Sequence, residues 1–61
     1  MPIIHVEMLE GRSVEQKRTL AHELTDAFVR SCGGDSVNVR VLIREVAPED
    51  WAIGGTLVAD R

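Results

Sequence analysis

One helix-like stretch lies between two strand-like stretches in this chain, and little else is long enough to cover what they leave open. A sheet with a single helix on it has one covered face, one bare face and unpaired edges. With 61 residues, the chain is also in the range where folding hides only about 60% of the surface that the unfolded form exposes. Folds of this size depend on disulfides, a structural metal or further copies of themselves. Cys32 is the one cysteine, so no disulfide can close within the chain, and a lone thiol suits a reducing cytoplasm. His5, His22 and Cys32 share no metal-ligand spacing. Phe28 and Trp51 are the only aromatic residues, so the core is aliphatic and thin. Self-association is the route that remains.

The first strand is expected over residues 2–9. Ile4, Val6 and Met8 fall on one face, and Ile3, His5, Glu7 and Leu9 on the other. Gly11 breaks this pattern, and Ser13 followed by Gln16 reads as a capping box opening a helix. From residue 14 to about 32 the period is helical. Leu20, Ala21, Leu24, Ala27 and Phe28 form the apolar stripe, with Lys17, Arg18, Glu23 and Asp26 facing water. Gly33-Gly34 ends the helix in a left-handed conformation. Residues 38–46 form the second strand, where Val39, Val41 and Ile43 alternate with Arg40, Leu42 and Arg44. Strand, helix and strand make a βαβ unit with parallel strands and a right-handed crossover. Pro48 closes the second strand, and Gly54-Gly55 in the tail 51–61 predicts a small hairpin. The whole is one α/β (α+β) domain, residues 1–61.

A net charge of −3 argues against nucleic acid as a partner, since phosphates reward a basic stripe. No apolar run approaches a membrane span, and the N-terminus lacks the basic region of a signal peptide. A cytoplasmic address is the expectation.

Four residues are candidates for chemistry: Pro2, Arg12, Arg40 and Trp51. Initiator methionine is removed ahead of small residues, so the mature chain is expected to begin with the secondary amine of Pro2. Two nearby guanidinium groups and an apolar wall would both disfavour its protonated form, which suits a general base. The plainer reading is a proline that merely starts an edge strand. Arg12 and Pro2 lie at opposite ends of the first strand, about 33 Å apart if the chain is extended throughout. Arg12 is therefore a solvated loop residue, or it completes the site of a neighbouring subunit. Arg40 begins the second strand at the same end as Pro2. A strand arginine among Val, Leu and Ile calls for a carboxylate: Glu7, Glu45 or a substrate. Trp51 is a pocket wall or a core plug. His5 and His22 read as surface or interface residues, and Cys32 lies at the wrong end of a helix for an activated thiolate.

Pro2 after Met1, Leu9-Glu10-Gly11-Arg12-Ser13 followed by Glu15-Gln16-Lys17, Val39-Arg40-Val41 and Trp51-Ala52-Ile53-Gly54-Gly55 together resemble the 4-oxalocrotonate tautomerase family, nearly end to end. The resemblance implies a β-α-β subunit with a C-terminal hairpin, assembled as a hexamer built from three dimers. It implies Pro2 as catalytic base, with Arg40 near the substrate's 2-oxygen as a second catalytic group. It also implies that Arg12 and Arg40 bind substrate from neighbouring subunits, with Leu9 lending a backbone amide and Trp51 and Ile53 also among the substrate-binding residues. The family's familiar phenylalanine is Trp51 here, which bears on pocket shape. The implied substrate is a small anion, a 2-hydroxydienoate or 2-oxo acid, with no metal or organic cofactor. Two alternatives stay open: a hydrolytic dehalogenase, hydratase or decarboxylase using the same proline in protonated form, and a non-enzymatic oligomeric module.

Overall fold

Alternation of apolar side chains sets the first element. In the computed structural model, which describes residues 1–61, β1 runs Ile3–Leu9. Ile4, Val6 and Met8 are half-buried, while Ile3, His5 and Glu7 are exposed. Residues 10–13 then turn into helix α1, Val14–Cys32. The capping box is formed: Ser13 Oγ accepts from Gln16 N at 3.1 Å, and Gln16 Oε1 accepts from Ser13 N at 2.9 Å. These two bonds occupy amides that have no partner within the helix.

Strand β2, Arg40–Val46, lies parallel to β1 with Ile3 opposite Arg40 and Leu9 opposite Val46. The expected strand start at residue 38 is corrected by two residues. Ser36–Asn38 form a 3-10 turn, with Asp35 Oδ1 accepting from Val37 N at 3.1 Å. Asn38 N and Val39 N donate to Asp35 O and Ser36 O at 3.0 and 3.1 Å. Those donors are thereby committed to the turn, and the β1–β2 ladder begins at Arg40.

The helix end also differs from the expectation. Gly33 has φ 80° and ψ −171°, a glycine region distinct from the left-handed helical one. Its N–H still closes the last turn by donating to Val29 O at 2.9 Å. Further on, Pro48–Asp50 form a 3-10 turn, and β3 (Ala52–Ile53) pairs antiparallel with β4 (Thr56–Leu57). Gly54 and Gly55 between them have φ 59° and 86°, as a tight two-residue hairpin turn requires. A last 3-10 turn, Val58–Asp60, ends the described chain.

The helix covers one face of the β1–β2 sheet and nothing in the chain covers the other. Not one of the 61 residues is buried. The accessible surface is 4632 Å², against about 3,900 Å² for a folded monomer of this mass. The radius of gyration is 14.5 Å, against about 10.5 Å for a compact chain of this length. Ile3 and Leu42 on the bare face are 56% and 52% exposed, and Ile53 on the hairpin is 54% exposed. Covering what each such side chain still exposes would contribute about 1 kcal/mol, half the worth of burying it from full exposure. The chain alone is a half-sandwich. No helix is long and apolar enough to cross a membrane.

Candidate active site

Parallel pairing fixes which candidates can meet. Because Ile3 is opposite Arg40, the two strands begin side by side, and Arg40 N donates to Pro2 O at 3.0 Å. Pro2 and Arg40 are thus neighbours at the amino-terminal end of the sheet. Pro2 is half-buried. Met1 ahead of it is 81% exposed and joins no strand, so the sheet does not depend on it.

The Arg40 side chain has no carboxylate partner in the chain. Its Nη1 donates to Val37 O at 2.9 Å, and the chain's ion pairs join Lys17 to Glu45, Arg18 to Glu15 and His22 to Asp26. Of the three carboxylates open for Arg40 from the sequence, Glu7, Glu45 or a substrate, the first two do not pair with it, and strand geometry gives the reason. Register sets Glu7 opposite Arg44, four residues beyond Arg40. Glu45 shares the parity of Val41 and Ile43, so it points to the helix side, whereas Arg40 belongs to the bare face.

The other candidates collect at the far end. Leu9 closes β1 opposite Val46, and the exposed Arg12 lies in the 10–13 segment just beyond. Seven strand steps separate Pro2 from Leu9 by roughly 23 Å. The expected 33 Å for Pro2 to Arg12 assumed extended chain throughout, but the turn after Leu9 ends the extension early. Trp51 is half-buried and lines an open groove of about 490 Å³ with Glu7, Arg44, Val46 and Asp50. It lines this groove from a half-buried position, in a chain where no residue is fully buried. Its carbonyl accepts from Val58 N at 2.8 Å, and Ile53 stands on the adjoining hairpin, exposed. One chain therefore brings together Pro2 and Arg40 and sets Leu9, Arg12 and Trp51 at the opposite end.

Two residues outside the expected set organise that far end. Lys17, read from the sequence as facing water, instead reaches the sheet and pairs with Glu45, each side chain being 28% exposed. Glu45 Oε2 also accepts from Gly11 N at 3.3 Å. The hydrogen bond from Lys17, its positive charge and the Gly11 amide hold the Glu45 carboxyl below its ordinary value of 4.5, with partial desolvation opposing them. The signal in the sequence was a charged residue at the end of an otherwise apolar strand face. No group of three or more His, Cys, Asp or Glu side chains could hold a metal ion.

Comparison with known proteins agrees with this architecture. A family model described as tautomerase enzyme matches residues 2–61. The chain is 47% identical over 55 residues to a 2-hydroxymuconate tautomerase of Comamonas testosteroni, covering 90% of this chain and 87% of that protein. It is 46% identical over 59 residues to a 2-hydroxymuconate tautomerase of Pseudomonas putida, covering 97% and 94%. Among solved structures, a heterohexamer 4-oxalocrotonate tautomerase from Chloroflexus aurantiacus superposes with a TM-score of 0.93 at 40% identity, covering 98% of this chain and 97% of that one. On fold, length and sequence alike, the chain belongs to the tautomerase family of enzymes.

Proposed function

We propose that this protein is a keto–enol tautomerase that converts 2-hydroxydienoates such as 2-hydroxymuconate to conjugated 2-oxo acids. In this reading Met1 is removed and the freed Pro2 nitrogen is the general base. The observation that carries it is the backbone bond from Arg40 N to Pro2 O at 3.0 Å. It sets Arg40, a residue with no acidic partner of its own in the chain, beside the strand end that bears the amine.

The chemistry follows from the residue types. The Pro2 nitrogen takes the proton from the 2-hydroxyl and returns one to carbon, leaving the 2-oxo group in conjugation. Negative charge grows on the 2-oxygen as the O–H bond breaks, and the Arg40 guanidinium stabilises it best when water is excluded. Arg12 takes the carboxylate at the far end of the substrate in planar, bidentate geometry. The roughly 23 Å between the two ends of one strand requires that Arg12 come from a neighbouring subunit. Trp51 and Ile53 supply apolar walls, and Leu9 a backbone amide. A hexamer, as a trimer of dimers, brings opposite strand ends together and covers Ile3, Leu42 and Ile53. Convergent arginines make the local field positive although the chain carries net charge −3.

An ultraviolet assay of the purified protein with 2-hydroxymuconate, beside the monoacid phenylenolpyruvate, tests the reading. Turnover with preference for the diacid is expected. Inactivity on both substrates, with Met1 shown by intact mass to be absent, would overturn it.

A further inference from the structure

The guanidinium of Arg12 forms no ion pair within the chain, so its placement is set by the short segment that carries it. That segment is held from three sides. Glu10 N donates to Val46 O at 3.0 Å, Ser13 caps α1, and Gly11 N donates to Glu45 Oε2 at 3.3 Å. The third tie is unusual because it joins residues 34 apart in sequence through a side chain. Glu45 is an acid on the strand face that otherwise carries Val41 and Ile43. Its second oxygen accepts from Lys17 Nζ on the first turn of α1. The carboxylate thus bridges the end of β2, the loop and the helix at once. Arg12 and Lys17 also line one small cavity of about 210 Å³ with Met8, Gln16 and Leu20.

An ion pair this accessible adds little to stability in general. What this one does is fix geometry: with Lys17 holding one oxygen, the other is aimed at the amide that directly precedes Arg12. We propose that Glu45 is a positioning residue for Arg12, holding the 10–13 loop so that its guanidinium is presented to the far carboxylate of a dianionic substrate. This rests on the proposed role of Arg12 in the tautomerase reading. Glu45 touches no substrate and acts only through Arg12. Its ionised form, favoured by Lys17 and by the Gly11 amide, is the form that can accept from both donors simultaneously.

The test is a double-mutant cycle of Glu45→Gln and Arg12→Ala, with kinetics on 2-hydroxymuconate and phenylenolpyruvate. Glu45→Gln should raise KM for the diacid about fivefold, the scale of one weakened hydrogen bond, with kcat little changed. It should leave the monoacid, which has no far carboxylate, unaffected. In the Arg12→Ala background the same substitution should have no further effect on the diacid. Equal losses on both substrates, or a full effect of Glu45→Gln without Arg12, would make Glu45 merely structural and overturn the proposal. If Arg12→Ala alone leaves the diacid KM unchanged, the assignment of Arg12 in the proposed function fails first. Should Glu45→Gln not fold, Lys17→Met, which frees the second oxygen while keeping the Gly11 bond, should show the same substrate selectivity at smaller amplitude. An unselective loss there would equally overturn the proposal.

Discussion

The two ends of the β1–β2 sheet are built to opposite rules. At the carboxyl-terminal end, the 10–13 loop, α1 and β2 satisfy one another through the Ser13–Gln16 box, the Lys17–Glu45 pair and the Glu45–Gly11 bond. At the amino-terminal end, Pro2 and Arg40 meet through one backbone bond, and the guanidinium is answered only by a neutral carbonyl. The ties at the closed end are complete within one chain, although the guanidinium of Arg12, which they hold, forms no ion pair there. The open end presents a cation with no counter-charge, which in solution is costly to cover except with an anion or a polar partner. The difference is that one end carries its free cation, Arg12, on a braced loop, whereas the other leaves Arg40 on a single carbonyl.

Disturbing the open end should have the largest effects on turnover. Pro2→Leu, whose bulk also leaves Met1 in place, should lower kcat/KM for 2-hydroxymuconate by at least about 10³-fold, within the range ascribed to a general base, with intact mass confirming retained methionine. Activity near that of the parent would remove Pro2 from the chemistry. Next, Arg40→Ala should lower kcat by about 10²–10³-fold, the loss of one oxyanion donor. A change in KM alone would make it an anchor.

The capping and pairing ties of the closed end should answer in stability. Ser13→Ala should cost about 1 kcal/mol, the usual worth of an N-cap, read by urea unfolding at fixed protein concentration. A cost indistinguishable from zero would show that the cap is redundant with the other ties. The smallest effect is on pH dependence. A carboxyl whose folded-state pKa lies below its unfolded value contributes stability above the unfolded value and loses it as pH falls through the folded one. Glu45 is such a group, so the protein should lose stability below about pH 4.5, and Glu45→Gln should lose less over that interval. Parallel melting curves for the two proteins would contradict the role given to the pair.

The same contrast explains what the sequence alone made legible. Alternation and helical period located β1, α1 and β2, because Ile4, Val6, Met8 and Val41, Ile43 form a repeated signal that backbone geometry imposes. The Ser13–Gln16 box and the Gly54-Gly55 turn were readable because each rests on a local bond or dihedral. Pro2 beside Arg40 followed from two parallel strands that start together. The start of β2 was missed by two residues, since the Asp35 cap competes locally with the ladder. The Lys17–Glu45 pair was missed because it joins positions 28 apart, and charge pattern along a helix does not tell which lysine reaches a strand. For Arg40 the sequence offered two acids besides a substrate; the register excluded Glu7 and face parity Glu45.

Central to the account is that a working site draws Pro2 and Arg12 from different chains. Subunit mixing tests this most directly: Pro2→Leu and Arg12→Ala proteins, each deficient alone, are dissociated, combined in equal amounts and reassembled, then assayed on 2-hydroxymuconate at low concentration. If the two residues come from neighbouring subunits, about one quarter of the sites regain both and activity returns to that fraction of the parent's. If reassembled mixtures show only the average of the two deficient proteins, Pro2 and Arg12 do not share a site across chains and the account is contradicted.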